Sequence, residues 1–206
     1  FLVSLSAIAQ KRQMVDVGDF DEIAMRVAGT VYVTQGNKNE VIVEGYDEDL
    51  EEVKIDVRGG VLNIESNRRS SWRFWDSNNV RVEVYVTVKE LRGVSVSGSG
   101  DIVGQNTIET GNFRAKVSGS GDIEMELDAR NVDASISGSG NIELSGSSNS
   151  GSLSISGSGK LLAESGEDPA ELRRRVTSPG GTTLAASTHM DTKQVQNSII
   201  EAIHAA

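Results

Sequence analysis

One seven-residue phrase occurs four times in this chain and constrains the fold more than any other feature. "VSGSGDI" stands at 96–102 and again at 117–123, followed by "ISGSGNI" at 136–142 and "ISGSGKL" at 155–161. Equivalent glycines are separated by 21, 19 and 19 residues. This spacing is too long for a hairpin turn, and it suits one coil of a β-solenoid, whose strands stack about 4.8 Å apart.

Polar and apolar residues alternate inside every copy, and a period of two is typical of β-strands. In the second copy, one phase holds the apolar residues and the glycines: Val117, Gly119, Gly121 and Ile123. The serines and Asp122 occupy the other phase. We predict that the first phase faces inward, where glycine lets walls bend or approach closely. The serines then point outward and form hydrogen-bonded ladders.

Residues 20–92 show the same alternation less regularly. Turns rich in Gly, Asn and Asp separate further strands, which are expected in four segments: 27–33, 40–45, 53–66 and 80–88. Together with the four copies, these strands predict an all-β domain over residues 14–161, built as a parallel β-solenoid, or β-helix.

Both tryptophans lie in one irregular segment, "NRRSSWRFWDSNN" at 67–79. Trp72, Phe74 and Trp75, beside Arg73, have the chemistry to bind a glycan or the surface of an acidic partner. The alternative is a loop whose aromatic side chains cover an open end of the solenoid. We favour this second interpretation because repeat arrays require capped ends.

The position after the last glycine of each copy carries Asp101, Asp122, Asn141 and Lys160 in turn. The Gly-x-Gly-x-Asp rhythm is similar to that of calcium-binding repeats, in which Asp101 and Asp122 would be calcium ligands. Those repeats recur about every nine residues. Calcium also takes roughly six to eight oxygen ligands, so a lysine in the series argues against a metal ladder. We therefore expect no metal site and keep calcium as the weaker alternative.

The net charge of −10 disfavours binding to nucleic acid or to anionic membrane surfaces. The chain has no cysteine, and its two histidines, His189 and His204, lie in no metal-ligand pattern. Glu124, Glu126 and Glu143 are interpreted as a solvated face rather than as the paired acids of a glycosidase. We predict a protein that is not an enzyme and has no cofactor, with a solenoid glycan-active enzyme as an alternative.

The first residues, "FLVSLSAIAQ", form an apolar stretch that ends in small residues. This pattern is typical of the end of a signal peptide, so residues 1–13 are interpreted as a signal remnant and linker of an exported protein. A first strand or a hydrophobic cap is the alternative. No run of about eighteen apolar residues is present, and no transmembrane segment is expected.

The alternation ends after Leu161, and residues 162–206 are predicted to be a small α-helical tail. Asp168 is a suitable N-cap, Pro169 suits the first helical position, and Asp191 begins a last helix with an apolar stripe. A tail of this size packs on the solenoid, pairs with the tail of a second copy to give a homo-oligomer, or remains loose.

Two longer stretches carry a family resemblance: "VGDFDEIAMRVAGTVYVTQG" at 17–36 and "VYVTVKELRGVSVSGSGDI" at 84–102. With the repeated "SGSGD", they resemble the GIN domain, the "putative autotransporter adhesin head domain" of secreted Bacteroidetes proteins. The resemblance covers about residues 15–161. It implies a right-handed β-solenoid and export to the cell envelope, and it brings no catalytic residues.

A different family is similar to the tail. "KLLAESGEDPAELRRRVTSPGGTT" at 160–183 resembles the C-terminal dimerisation region of pyrroline-5-carboxylate reductase. The resemblance implies a loop that holds the substrate carboxylate, formed by residues of the SPGGTT segment: Ser178, Gly180, Gly181, Thr182 and Thr183. That enzyme also needs a Rossmann domain, and residues 1–160 contain no glycine-rich nucleotide turn.

The sequence therefore predicts an adhesin-like protein of the periplasm, the outer surface or the extracellular space. It would recognise a glycan or a protein surface without catalysis. The alternative is a fragment or fusion of the reductase with an incomplete site.

Overall fold

Strands make up most of the part of the chain that the computed structural model describes, residues 10–67 and 82–165. In chain order they are β1 Lys11–Val15, β2 Glu22–Met25, β3 Gly29–Gln35, β4 Glu40–Gly45, β5 Val53–Arg58, β6 Val61–Ser66, β7 Val82–Val88, β8 Gly93–Val96, β9 Asp101–Gly104, β10 Ile108–Val117, β11 Ile123–Ile136, β12 Ile142–Ile155 and β13 Leu161–Ser165. One short helix, α1, spans Asp47–Glu51.

These strands form a single 13-stranded sheet in the order β1-β4-β7-β3-β9-β11-β10-β8-β2-β6-β5, with β12 beside β11 and β13 beside β12. The long strand β11 joins two walls of this sheet. Its first residues pair with β9, and its remainder pairs with β10. The sheet is therefore nearly closed, and the apolar core lies inside it.

The four copies of the repeated phrase stack in parallel. Ile123 pairs with Ile142, and Ile142 pairs with Leu161, so a register step of 19 residues carries one copy onto the next. Val117 and Ile123 are buried, while the intervening serines are exposed, which confirms the predicted inward and outward phases. The chain folds this way because every copy repeats the same alternation of inward and outward residues.

The glycines of the phrase are needed where one copy lies on the next. The amide of Ser120 donates to the carbonyl oxygen of Gly98 at 3.0 Å, and the amide of Ser139 donates to that of Gly119 at 2.9 Å. A Cβ atom placed on Gly121 would overlap the carbonyl oxygen of Gly100. The glycines allow a close approach, but the neighbour is the equivalent glycine of the preceding copy rather than the predicted opposite wall.

The prediction of a right-handed parallel β-solenoid is wrong, because the sheet is mixed. β4 pairs antiparallel with β1 and β7, and β5 pairs antiparallel with β6. Residues 10–67 lack copies of equal length, and their turns reverse the chain. Gly59 and Gly60 show the reason most directly, since their φ angles of 61° and 82° form the two-residue turn that joins β5 to β6.

The described part of the predicted helical tail is a strand rather than a helix. Leu161–Ser165, where the tail was expected to begin, forms strand β13 and pairs in parallel with β12. The backbone continues the register of the preceding copies through these residues, so the strand ends later than the alternation in the sequence suggests. Residues 166–206, with Asp168, Asp191 and the two histidines, lie outside the described residues. Among the residues described, no helix has the length and apolar character needed to cross a bilayer.

Candidate functional site

The outer face of five neighbouring strands carries a row of apolar and aromatic side chains. The row crosses β1, β4, β7, β3 and β9 in register, and it consists of Met14, Ile42, Tyr85, Tyr32 and Val103. In β7, the residues on either side of Tyr85 are buried, so the tyrosine belongs to the outward phase. We call this row, with the charged side chains beside it, the tyrosine face.

The centre of the tyrosine face is a stack of three side chains. The rings of Tyr32 and Tyr85 lie 5.1 Å apart between centroids, with 23° between their planes. The guanidinium carbon of Arg12 lies 5.0 Å from the Tyr85 centroid. Offset stacking and the attraction of a cation to a ring each contribute a fraction of a kcal/mol to about 1.5 kcal/mol. The stack therefore fixes the tyrosine rings in one arrangement.

A hydrogen bond fixes the polar end of the same stack. The Tyr85 hydroxyl donates to Oε2 of Glu83 at 2.6 Å. This bond, followed by desolvation and by the negative charges of Glu83 and Glu44, raises the pKa of Tyr85 to about 12. The phenol is therefore neutral at physiological pH and acts as a donor, not as a proton-transfer group.

Carboxylates lie on either side of the apolar row. Glu44 and Glu83 are register neighbours on one side, and Glu40, which pairs with Lys38 at 2.6 Å, lies on the other. Met14, at the edge of the sheet, is 64% exposed. A partly exposed apolar centre with a mostly acidic rim can bind a complementary surface. The residues of the tyrosine face do not include a nucleophile beside a general base.

A tetrapeptide that occurs twice in the sequence marks the two strands that carry the tyrosines. The predictions made from the sequence did not interpret this repetition as a binding face. "VYVT" occurs twice, at 31–34 and 84–87. The two copies lie side by side in parallel register, with Tyr32 beside Tyr85. Paired outward tyrosines between inward valines are visible in the sequence, but their contact depends on a pairing between β3 and β7 that the sequence does not reveal.

Most of the binding residues predicted from the sequence fall on other parts of the chain. Trp72, Arg73, Phe74 and Trp75 lie outside the described residues. So does the reductase-like loop, Ser178, Gly180, Gly181, Thr182 and Thr183. Their roles therefore stay predictions.

The structure gives Asp101 and Asp122 a different role from the calcium alternative. Oδ1 of Asp101 accepts from the amide of Asp122 at 3.0 Å. Oδ1 of Asp122 in turn accepts from the amide and the side chain of Asn141, at 2.7 and 2.9 Å. The series ends where Oδ1 of Asn141 accepts from the amide of Lys160 at 3.1 Å. We call this series the Asp/Asn ladder; it links each copy to the next.

The ladder explains why a lysine is tolerated in the last position, since Lys160 contributes only its backbone amide. In residues 10–67 and 82–165, no three His, Cys, Asp or Glu side chains are arranged to hold a metal ion. The three glutamates interpreted as a solvated face are exposed, and Glu124 lies beside Glu143 on β11 and β12.

Comparison with known proteins gives a family match over residues 19–198, to the family described as "Putative auto-transporter adhesin, head GIN domain". The crystal structure of a "Putative lipid binding protein" from Parabacteroides distasonis matches with a TM-score of 0.59 and 20% identity, covering 76% of this chain and 75% of that one. A putative adhesin from Bacteroides fragilis matches with a TM-score of 0.46 and 17% identity, over 77% and 98%. At 20% identity, the likeness to the Parabacteroides distasonis structure concerns the fold alone.

One curated protein matches a short part of the chain. Pyrroline-5-carboxylate reductase from a Synechocystis strain is 43% identical over 47 residues, which are 23% of this chain. The chain spans only 18% of that reductase's length. The adhesin family match continues to residue 198, so it also includes most of the segment whose sequence resembles the reductase.

Proposed function

This chain belongs to the head GIN domain family of auto-transporter adhesins, and on that premise we propose that it is an exported, non-catalytic recognition protein. We further propose that it binds through the tyrosine face to a protein surface with an apolar centre and a basic rim. The observation that carries the proposal is the stack of Arg12, Tyr85 and Tyr32 within an outward apolar row.

The residue types of the tyrosine face support this function. Tyrosine, methionine and arginine are enriched at the centres of protein interfaces, and residues that dominate binding energies are often tyrosine or arginine. These types come together on one face in Arg12, Met14, Tyr32 and Tyr85. The stack already holds the two tyrosine rings, so binding orders few additional side chains and loses little conformational entropy.

The charges of the same face support a basic partner. Glu44 and Glu83 flank the row, and the chain as a whole carries a net charge of −10. A partner with lysines or arginines around an apolar patch would be attracted before contact and correctly oriented by the rim. Such an attraction weakens as salt increases, because the Debye length shortens.

The proposed location is the cell envelope or the extracellular space. The family description supports export. The short match to the reductase carries no functional proposal of its own, because it spans a small part of that enzyme.

A surface-binding experiment tests the proposal. The whole chain is passed over sensors coated with collagen, fibronectin or mucin, and equilibrium binding is measured at low and moderate salt. We expect binding to collagen or fibronectin that weakens with salt, and we expect Tyr32→Ser to reduce the affinity at least about tenfold. Tyr46→Ser is the matched control, because Tyr46 is 43% exposed but lies outside the row.

Each outcome bears on the proposal. Loss of binding in Tyr32→Ser, with Tyr46→Ser unchanged and both variants folded by circular dichroism, supports it. Binding to none of the three coatings, binding to mucin alone, or equal affinity of the wild type and Tyr32→Ser contradicts it.

A further inference from the structure

The stack of repeats ends at β12, and only part of that strand has a neighbour on its far side. β12 pairs with β11 from Ile142 to Ile155, whereas β13 pairs only with residues 142–146 of β12. Within residues 10–67 and 82–165, no strand pairs with the far side of residues 151–155. We call residues 151–155 the open edge.

Backbone donors and acceptors point outward along the open edge. The amide of Ser156 donates to the carbonyl oxygen of Ile136 at 2.8 Å, so it points back toward the preceding copy. Alternate residues of a strand direct their N–H and C=O groups to opposite sides. The amides and carbonyls of Leu153 and Ile155 therefore point away from β11, in the direction where a further strand would pair.

The open edge also exposes an apolar side chain that the earlier copies bury. Ile155 is 48% exposed, whereas Ile136, at the equivalent position of the preceding copy, is 2% exposed. Val117 and Val96, at the same position in the two copies before that, are fully buried. The difference arises because a following strand covers each of the earlier positions. A strand placed on the open edge would bury the exposed part of Ile155.

The sequence does not continue the stack with another copy. The step of 19 residues would place Pro169 opposite Ser150 and Arg174 opposite Ile155. Proline has no amide hydrogen to donate to the neighbouring strand, and an arginine in the inward phase would bring a charge into the core. This argues for an occupant from another chain.

The charges of the sheet edges point to an uncharged occupant. Lys11 and Arg12 lie on the edge strand β1, and Lys54 and Arg58 lie on the edge strand β5. Charged side chains on an edge hinder its pairing with another strand. Residues 144–159, in contrast, include no charged side chain. The open edge therefore lacks the protection that β1 and β5 have.

We propose that the open edge pairs with the open edge of a second copy of this chain. A two-fold axis makes this pairing antiparallel. If the axis passes beside Leu153, Ile155 lies opposite Gly151 of the second copy, where no side chain competes for the space. The net charge of −10 makes other faces of two copies repel, so an uncharged edge is the surface on which they can meet.

The short length of the open edge sets the expected strength of the dimer. Pairing of so short a segment buries less than the roughly 1,200 Å² of a standard interface, so we expect a weak dimer at micromolar concentrations. The dimer would carry two tyrosine faces. Bivalent binding to a coated surface is a consequence that rests on the proposed function, whereas the dimer itself does not.

Sedimentation equilibrium of the whole chain, from about 1 µM to about 200 µM, tests the dimer. We expect the mass to rise from 22.0 kDa toward twice that value. Ile155→Lys places a charge on the open edge and should weaken the dimer at least about tenfold. Tyr46→Lys is the matched control, because it adds the same charge at another exposed apolar residue, 43% exposed and outside the open edge. Circular dichroism checks that both variants fold.

Cross-linking tests the register without changing a core residue. The chain has no cysteine, so a single introduced thiol reports only on its own position. In the proposed pairing, Ser154 of one copy is a diagonal neighbour of Ser154 of the other, about 7 to 8 Å away. We expect a bismaleimide of about that length to link Ser154→Cys into a dimer. Ser118→Cys, an exposed serine of an earlier copy, should stay unlinked.

Three results would overturn the proposal: a mass of 22.0 kDa at every concentration, a dimer that Ile155→Lys weakens no more than Tyr46→Lys, or equal cross-linking of Ser154→Cys and Ser118→Cys. If Ile155→Lys does not fold, the cross-linking decides. Because these measurements involve no coated surface and leave the tyrosine face unaltered, a failure here leaves the proposed function of that face standing.

Discussion

The strands of the repeated phrase and the strands of the tyrosine face belong to one sheet but differ in how they pack and in what they expose. In the repeats, glycine backbones lie on one another and the Asp/Asn ladder links each copy to the next. In the tyrosine face, β1, β4, β7 and β3 pair in mixed directions and present a stacked pair of rings to solvent. The most conspicuous sequence in the chain therefore stabilises the fold, while the tyrosine face, the proposed recognition surface, lies on strands where the repetition is weakest.

This division has a physical basis. A phrase that recurs at a constant step can stack only if every copy has the same shape, so its residues are tied to packing. Strands outside the repeated phrase are not constrained by four stacked copies, so their outward side chains are freer to differ, even though "VYVT" occurs in both β3 and β7. Variants that change one region and leave the other intact therefore test whether the two roles are separate.

The largest effect is expected from a methyl group in the repeats. In Gly121→Ala, the new Cβ would overlap the carbonyl oxygen of Gly100 and lie 2.8 Å from Cγ1 of Val96. Because the backbone of a stacked strand cannot move freely, we expect the free energy of unfolding to fall by about 3 kcal/mol or more. Urea unfolding measures it. Gly18→Ala is the control, since no atom lies within 4 Å of its Cβ; equal losses in both variants would refute the role of close packing.

A smaller effect is expected from the Asp/Asn ladder. Asp122→Ala removes the oxygen that accepts two hydrogen bonds from Asn141, and we expect a loss of about 1 to 2 kcal/mol in the free energy of unfolding. Asp122→Asn should lose less, because Asn141 itself fills the equivalent position in the next copy. A calcium-dependent rise in the wild-type melting temperature that Asp122→Ala abolishes would instead support a metal site.

A substitution in the tyrosine face should lower stability less than Gly121→Ala does. Tyr32→Ser removes one ring of the outward stack, and we expect a loss of about 1 kcal/mol in the free energy of unfolding. The loss is small because the buried valines on either side of Tyr32 are unchanged. Urea unfolding of Tyr32→Ser beside Tyr46→Ser gives the value. A loss as large as that of Gly121→Ala would show that the stack is part of the packing.

The smallest effect concerns alkaline pH. The pKa of Tyr85 is raised from 10 to about 12 by its hydrogen bond to Glu83. The neutral phenol therefore stabilises the folded state fully below about pH 10, and this contribution is lost as the pH rises through about 12. In Glu83→Gln, we expect the pKa of Tyr85 to move down toward its ordinary value, as measured by tyrosinate absorbance. An unchanged alkaline titration in this variant would contradict the role of Glu83.

The sequence predicted the strands and the phases of the repeated phrase, because period two and a constant step are local properties. It did not predict the mixed sheet, since β4 pairs with β1 and β7 across long stretches of chain and no local pattern encodes that choice. It also assigned Asp101 and Asp122 correctly to the outward phase but did not reveal the ladder. The tyrosine face was missed because Tyr32 and Tyr85 are 53 residues apart and meet only through strand pairing.

The repeats stabilise the sheet by stacking, and the tyrosine face is proposed to bind the surface of a protein partner. Binding to collagen and fibronectin, measured together with urea unfolding for Tyr32→Ser and Asp122→Ala in one buffer, tests this division of roles. We expect Tyr32→Ser to lose affinity at least about tenfold with a loss of about 1 kcal/mol in the free energy of unfolding. We expect Asp122→Ala to lose about 1 to 2 kcal/mol while its folded form binds like the wild type. The reverse result, with folded Asp122→Ala failing to bind and Tyr32→Ser binding normally, would show that the roles are assigned to the wrong regions.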